Sequence, residues 1–243
     1  MYQFTDEFIE EQSNLEFLNA NMMGPNAMRI SEEMASHLDI REGMRVLDLG
    51  CGCGLSTLLL VQKFGVEVFA ADLWISPTDN DERFKSLGIE DKTVPLLIDA
   101  TKGLPFANEY FDILFSVDAY QYFGRTPEML PSLIPFVKKG GYIAVAVPGW
   151  KSGIDSPPEE ILPFFEAAGE EGAVSFQNPE FWKNLWSECD GIELLSCTEM
   201  DANRQAWDEW LTSGHPIAHE DIPMMEAEGG KYFTLIQLIA KVK

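Results

Sequence analysis

The chain predicts an α/β fold on a doubly wound, seven-stranded sheet. Three observations predict it. Five runs rich in Val, Ile, Leu and Phe alternate with helical stretches, the pattern of a mostly parallel sheet covered on both faces. The first run ends in a turn with glycine at every second position, "VLDLGCGCGLS" at 46–56. Two more apolar runs close the chain after a helical interlude, bringing the strands to seven.

The elements follow in order. An acidic helix is expected over about 5–19. In "NMMGPNAMRISEEMASHL", Pro25 suits a first helical turn, and Ala27, Ile30, Met34 and Leu38 recur at helical spacing. Residues 1–44 thus read as a helical N-terminal cover. The core, 45–149, holds the strands "MRVLDLG", "VEVFAADL", "TVPLLIDA", "FDILFSVD" and "GYIAVAVPG". Helices fall at about 56–64, 81–87 and 128–137, the last stopped by Lys139-Gly140-Gly141. Over 150–190 the pattern is helical again. "NPEFWKNLWSEC" opens on an Asn-Pro cap and places Phe181, Trp182, Leu185, Trp186 and Cys189 on one face. In 191–243, "GIELLSCTEM" and "KYFTLIQLIAKVK" read as the last two strands. Between them, about 201–230 is too long for a tight hairpin. It carries the helix "NRQAWDEWLTSG" and a Met-rich segment interrupted by Pro, and reads as a lid inserted over the site. The whole reads as a single domain, in keeping with 243 residues.

Charge removes whole classes of function. With 17 basic and 40 acidic residues the net charge is −23, which opposes binding to nucleic acid or anionic membranes. Between Lys151 and Gly230 eighteen acids meet three basic residues. That asymmetry is either a solvated acidic face or a field that draws a cationic substrate. No apolar run approaches the roughly 20 residues a membrane span needs. The start, "MYQFTDEFIEEQ", has no basic region ahead of an apolar one, so a cytoplasmic protein is expected, as a monomer or homodimer. Cys51, Cys53, Cys189 and Cys197 are too few for a disulfide framework. Cys51-x-Cys53 is too tight for ordinary zinc spacing and reads as small residues in a turn, with no metal.

The glycine turn is the first candidate site. In a doubly wound sheet ligands bind outside the carboxyl ends of the strands, and glycine lets the backbone approach a ligand closely. The dinucleotide fingerprint G-x-G-x-x-G would need glycine at 55, where this chain has Leu. The pattern is D-x-G-x-G-x-G, starting at Asp48. Asp48 either orients the turn or binds an amine through water. Asp72, at the end of the second strand, can accept from both hydroxyls of a ribose. The loop carries no basic group for phosphates.

These segments resemble class I S-adenosylmethionine-dependent methyltransferases, in the small-molecule, methyltransferase type 11-like branch. "VLDLGCGCG" resembles the family's first motif, and Asp72 matches its ribose-binding acid. "IDATKGLPFANEYFDILFSVDAYQYF" and "LIPFVKKGGYIAVAVPG" resemble the sections that follow, with Lys139 where the family often has proline. The resemblance runs from about 21 to 149. It implies a Rossmann-like fold with an antiparallel last strand and S-adenosyl-L-methionine as cofactor, leaving as S-adenosyl-L-homocysteine. It implies Asp48, Gly50, Cys51 and Gly52 at the amino-acid end, Asp72 and Leu73 at the ribose, Asp99 and Ala100 at the adenine, and Ser116 at the fourth strand's exit. Met22 and Gly24, in "NMMGPNAMR", resemble the segment that closes over the methionine end.

Methyl transfer is an in-line displacement for which the protein mainly supplies alignment, so neither a triad nor a metal cluster is expected. The acceptor is a small molecule attacking through N, O, S or C. Tyr120 is the residue expected to touch substrate or methyl group, its alternative being a core aromatic. Asp118 and Tyr122 share that exit loop. Trp150, Trp207, Trp210, Met224 and Met225 are further substrate-side candidates. His215 or His219, bracketing a proline, would serve as base if the acceptor needs one; His37 is structural. Aromatics near acids can cage an ammonium, which favours an amine acceptor. A lipid or fatty-acyl acceptor, a quinone precursor and a non-catalytic S-adenosylmethionine-binding module remain alternatives; a nicotinamide oxidoreductase is disfavoured by Leu55.

Overall fold

The computed structural model describes residues 3–168 and 175–243. Its strands are β1 (Arg45–Leu49), β2 (Glu67–Asp72), β3 (Thr93–Leu97), β4 (Phe111–Val117), β5 (Val137–Trp150), β6 (Ile192–Glu199) and β7 (Phe233–Val242). They form one sheet in the order β3-β2-β1-β4-β5-β7-β6. The first five pair in parallel. β7 runs antiparallel to both neighbours, β5 and β6. This is the doubly wound, seven-stranded sheet with an antiparallel last strand that the sequence predicts. Strand order reverses between β1 and β4, the place where such sheets open a crevice.

The two-residue strand period explains the unbroken apolar runs. Val46, Ile113, Phe115 and Ala144 point into one core, and Leu47, Leu114, Ile143 and Val145 into the other. The first core is covered by α3 (Ala27–Ala35), α4 (Leu55–Phe64) and α10 (Asn203–Thr212), the second by α7 (Met129–Leu133) and α9 (Pro179–Ser187). Asn178 caps α9 by accepting from Phe181 N at 2.9 Å, with Pro179 in the first turn, as the Asn-Pro reading requires. Trp182 and Trp186 of α9 are fully buried. A third cluster holds Trp150, Ile161, Phe165 and Phe233, beside α8 (Leu162–Ala168).

Several boundaries differ from expectation, each for a local reason. The helix expected over 5–19 is two helices, α1 (Phe4–Phe8) and α2 (Gln12–Asn21). Asn14 Nδ2 donates to the Phe8 carbonyl at 3.0 Å and closes the first. The helix after β2 begins earlier than 81, as α5 (Pro77–Ser86) with proline in its first turn. The helix expected over 128–137 stops at Leu133 and tightens into a 3-10 turn, because Pro135 has no N–H to continue it. After β4 the chain enters a short helix, α6 (Tyr120–Phe123). The Met-rich stretch forms α11 (Ala218–Glu228) despite Pro223 inside it. No helix among the described residues is long and apolar enough to cross a membrane.

The N-terminal segment and the insertion between β6 and β7 are tied together. Asn26 N donates to the Ala206 carbonyl at 3.0 Å. Glu33 accepts from the backbone N–H of Asp201 and Ala202, putting a carboxylate at the N-terminus of α10. Arg29, 4% exposed, pairs with Glu209 of α10 at 2.6 Å and with Asp6 of α1 at 2.8 Å. Arg29 is buried but its partners Glu209 and Asp6 reach solvent, so Arg29→Ala should lower unfolding free energy by about 2 kcal/mol, the worth of its charge-assisted hydrogen bonds. A urea titration of wild type and variant measures it.

Candidate cofactor cleft

A cleft of about 390 Å³ opens at the carboxyl ends of β3, β2, β1 and β4, within the range of small-ligand sites. Its floor is the glycine turn. Gly50, Gly52 and Gly54 all take positive φ, at 77°, 54° and 87°. At Gly50 a side chain would also collide with Ala119 Cβ, on the exit of β4.

The turn's own N–H groups are largely engaged. Gly50 N and Cys51 N donate to the Ala71 carbonyl at 2.7 and 3.1 Å, and Gly54 N donates to the Cys51 carbonyl at 2.9 Å. Gly52 N donates to Asp72 Oδ2 at 2.9 Å. A phosphate cradle needs converging free N–H groups; this turn offers glycine surfaces and carbonyls instead. No Lys, Arg or His is among the lining residues, whereas Asp72, Asp99 and Asp118 are. The donor set suits a ligand with cationic groups, as S-adenosylmethionine has.

Asp72 is central to this geometry. Besides Gly52 N, it accepts from Trp74 N at 2.7 Å and Ile75 N at 2.9 Å, both on Oδ1. A carboxylate has about four acceptor positions, so about one is left for a ribose hydroxyl rather than two. Asp99 lines the cleft with Ile98 and Ala100. Its carboxylate is held below the ordinary range by Thr101 first and then Lys102, which donates from 3.0 Å. Leu73 lines the cleft, half exposed. Cys51 also lines it, its thiol buried and pushed well up by desolvation, and Asn80 Nδ2 lies 3.6 Å from its sulfur.

Asp48 lies beneath the turn, fully buried and off the cleft lining. It accepts from Ser56 Oγ at 2.7 Å and Thr57 Oγ1 at 2.6 Å, fixing the first turn of α4. Of its two expected roles the geometry carries the orienting one. Burial raises its pKa to about 6. Ser116 is likewise a support, donating to the Leu49 carbonyl at 2.6 Å from a fully buried position. Met22 points into the core, and its neighbours Met23 and Gly24 line the cleft instead.

Of the expected substrate-side residues the structure brings Asp118 and Tyr122 to this cleft and leaves Tyr120 and the later candidates outside its lining. Tyr120 is fully buried, packed against Trp182 and Trp186 at ring-centroid distances of 5.9 Å, so it takes the core role that was its alternative. A strand would keep residues 118, 120 and 122 on one face, but the chain turns helical at Tyr120, and helix positions two apart point nearly opposite ways. Tyr122 therefore reaches the cleft mouth, with its ring 5.8 Å from that of Trp74. Trp150 sits in the third core cluster. Trp210 is fully buried and donates Nε1 to Asp221 Oδ2 at 2.8 Å, with the His215 ring 5.2 Å away. His215 Nδ1 accepts from Ile217 N, and His219 is exposed; neither lines the cleft. Trp207 and Met225 line a second hollow, with Lys151, Ile222 and Phe233. Residues of the 201–230 insertion stand beside the cleft rather than in its wall, and the N-terminal segment around Met23 to Ala27 does the covering. Trp74 and Met23 are prominent lining residues that sequence reasoning passed over; the signal for each was its place, two residues after Asp72 and one before Gly24.

Two outcomes follow. Gly50→Ala should abolish measurable S-adenosylhomocysteine binding by calorimetry, since it meets both positive φ and Ala119. Asp48 titrates near 6 when folded and near 4 in an unfolded chain, so the native state holds its proton more tightly. Its contribution to stability therefore grows as pH falls from 8 through 6 toward 4. Wild type should gain up to roughly 3 kcal/mol relative to Asp48→Asn over that range, read from denaturant midpoints.

Comparison with known proteins agrees with the cleft. The family model described as methyltransferase domain matches residues 46–141. Methyltransferase GfsG of Streptomyces halstedii is 29% identical over 173 residues, 71% of this chain and 61% of that protein. The chain spans about a third or less of several other curated relatives. Among solved structures, the geranyl diphosphate C-methyltransferase of Streptomyces coelicolor A3(2) superposes with TM-score 0.70 at 14% identity, covering 88% of this chain and 75% of that one. Phosphoethanolamine N-methyltransferase 2 of Haemonchus contortus, in complex with S-adenosyl-L-methionine, gives 0.70 at 17% identity, covering 98% and 59%. Residues 46–141, which hold the glycine turn and the acid at the end of β2, thus match the methyltransferase domain family, and the chain shares its fold with solved S-adenosylmethionine-dependent methyltransferases.

Proposed function

We propose that the protein transfers the methyl group of S-adenosylmethionine to a small molecule, attacking through nitrogen. The observation that carries the reading is the order of groups along the cleft. Across β3, β2 and β1 stand Asp99, Asp72 and the glycine turn, in the sequence adenine, ribose, amino-acid end. When bound, S-adenosylmethionine supplies a methyl group on a sulfonium, already a good leaving group. The chain's own part is alignment: Asp72 holds a ribose hydroxyl, Ile98 and Ala100 flank the base, and the Met23–Gly24 segment keeps water out.

The nitrogen preference rests on the mouth of the cleft. Tyr122 and Trp74 expose ring surface there, and Asp118 lies beside them. Rings and carboxylates together favour an amine over an anion. The names of the relatives span nitrogen and carbon acceptors, phosphoethanolamine N-methyltransferase and geranyl diphosphate C-methyltransferase among them, so they do not choose the atom. A diphosphate would meet three carboxylates and no cationic side chain in this lining.

Production of S-adenosylhomocysteine across a panel of small amines, phenols, hydroquinones and fatty acids tests the reading. Turnover with an amine is the expected result. Turnover confined to hydroquinones or fatty acids would replace the acceptor class. Tight S-adenosylhomocysteine binding with no turnover anywhere would make the protein a binding module.

A further inference from the structure

At the exit of β4 the backbone turns left-handed at a residue that is not glycine. Asp118 has φ of 51°, a conformation Asp tolerates better than most residues. The turn sets its carboxylate in the cleft wall. Gln121 Nε2 donates to Oδ1 at 2.7 Å, and Gln121 is itself buried. Oδ2 is turned toward the N-terminal segment: a Cβ at Gly24 would stand 2.8 Å from it. One oxygen is thus fixed, and the other faces the gap between β4 and the cover.

Among the described residues no cationic side chain pairs with this carboxylate or lines the cleft beside it. Desolvation raises it to about 7, against the hydrogen bond from Gln121, and the charge of Asp221 adds to the rise. Asp221, on α11, is itself raised by burial, and so is the Tyr122 phenol, on which Asp118 acts in turn. Among the described residues these are the titratable groups coupled to Asp118, and neither can carry positive charge. The sheet order places Asp99, Asp72, Gly50 and Asp118 in one row. With adenine at Asp99 and ribose at Asp72, the sulfonium lies onward from the ribose, toward β1 and β4, where the row ends on Asp118.

We propose that Asp118 is the charge-matching residue of this site, answering the positive sulfur before methyl transfer and taking the acceptor's proton after it. The proposal rests on the methyl-transfer reading above. In the step, the acceptor's lone pair makes the new bond to carbon while the carbon–sulfur bond breaks with its electrons left on sulfur. The positive charge passes to the attacking nitrogen. Asp118 Oδ2 then takes the N–H proton, and the proton leaves to solvent when the neutral sulfide departs. Asp118 also becomes the group through which the protein tells S-adenosylmethionine from S-adenosylhomocysteine.

Binding tests this without an acceptor. Calorimetric titrations of the whole protein with S-adenosylmethionine and with S-adenosylhomocysteine, at pH 6 and pH 8, give an affinity ratio at each pH. The two ligands share every titrating group, so their differences cancel except at sulfur. In wild type the preference for S-adenosylmethionine should grow about tenfold between pH 6 and pH 8, the effect of one charge pair near neutrality. Asp118→Asn tolerates the same backbone, keeps an oxygen for Gln121 and should show one ratio at both pH values. Asp118→Gly, which relieves the positive φ, should do the same. In both variants S-adenosylhomocysteine affinity at pH 6 should stay within about threefold of wild type, which certifies the fold. A wild-type ratio flat with pH, or a variant that keeps the rise, would overturn the proposal. Because the readout is binding, failure of the acceptor panel would show separately.

Discussion

Asp72 accepts three backbone N–H groups from two loops, and the shape of the cleft depends on that. One donor, Gly52, belongs to the turn after β1; the others, Trp74 and Ile75, belong to the exit of β2. Charge-assisted bonds of this kind are stronger than neutral ones. They draw two loops on neighbouring parallel strands onto one carboxylate, which a strand ladder alone cannot do. Asn80 Nδ2 adds a second tether, donating to the Gly52 carbonyl at 2.9 Å. The same carboxylate lines the cleft, which leaves its remaining acceptor position open to a ligand there.

Around that floor the chain adds walls of different origin. The floor comes from strand ends of the central sheet. The cover comes from residues ahead of β1, and its position is set by Arg29, Asn26 and Glu33 gripping α10. Glu32 of α3 makes a comparable anchor, accepting from Thr5 N and Thr5 Oγ1 and pairing with Lys63 of α4 at 2.5 Å. The insertion between β6 and β7 thus shapes the cleft indirectly, by holding the segment that covers it and by bringing Asp221 within electrostatic reach of Asp118.

The legible parts of the sequence were those governed by local rules. Apolar runs of strand length located all seven strands, most plainly the central ones, where burial on both faces leaves no polar gaps. The glycine turn and Asp72 were legible because positive φ and a strand-end acid restrict residue type strongly. What failed was orientation beyond β4. Tyr120 and Tyr122 look equivalent in the sequence, and only the helical turn at 120–123 sends one to the core and the other to the cleft. The tryptophans failed for a related reason: large aromatics are favoured both at binding surfaces and in cores, and Trp150 and Trp210 went to cores through contacts distant in sequence. The ties of Arg29 and Glu33 span some 170 to 180 residues and leave no local trace.

Gly50 and Ala119 meet where the turn after β1 touches the exit of β4, and their fit leaves no room for a methyl group more. A side chain at 50 therefore meets two obstacles at once, the positive φ of that position and the methyl group of Ala119. Tyr122, three residues further on, carries no such bond to the floor. A substitution at Tyr122 thus alters the mouth of the cleft without entering the close contact at its floor.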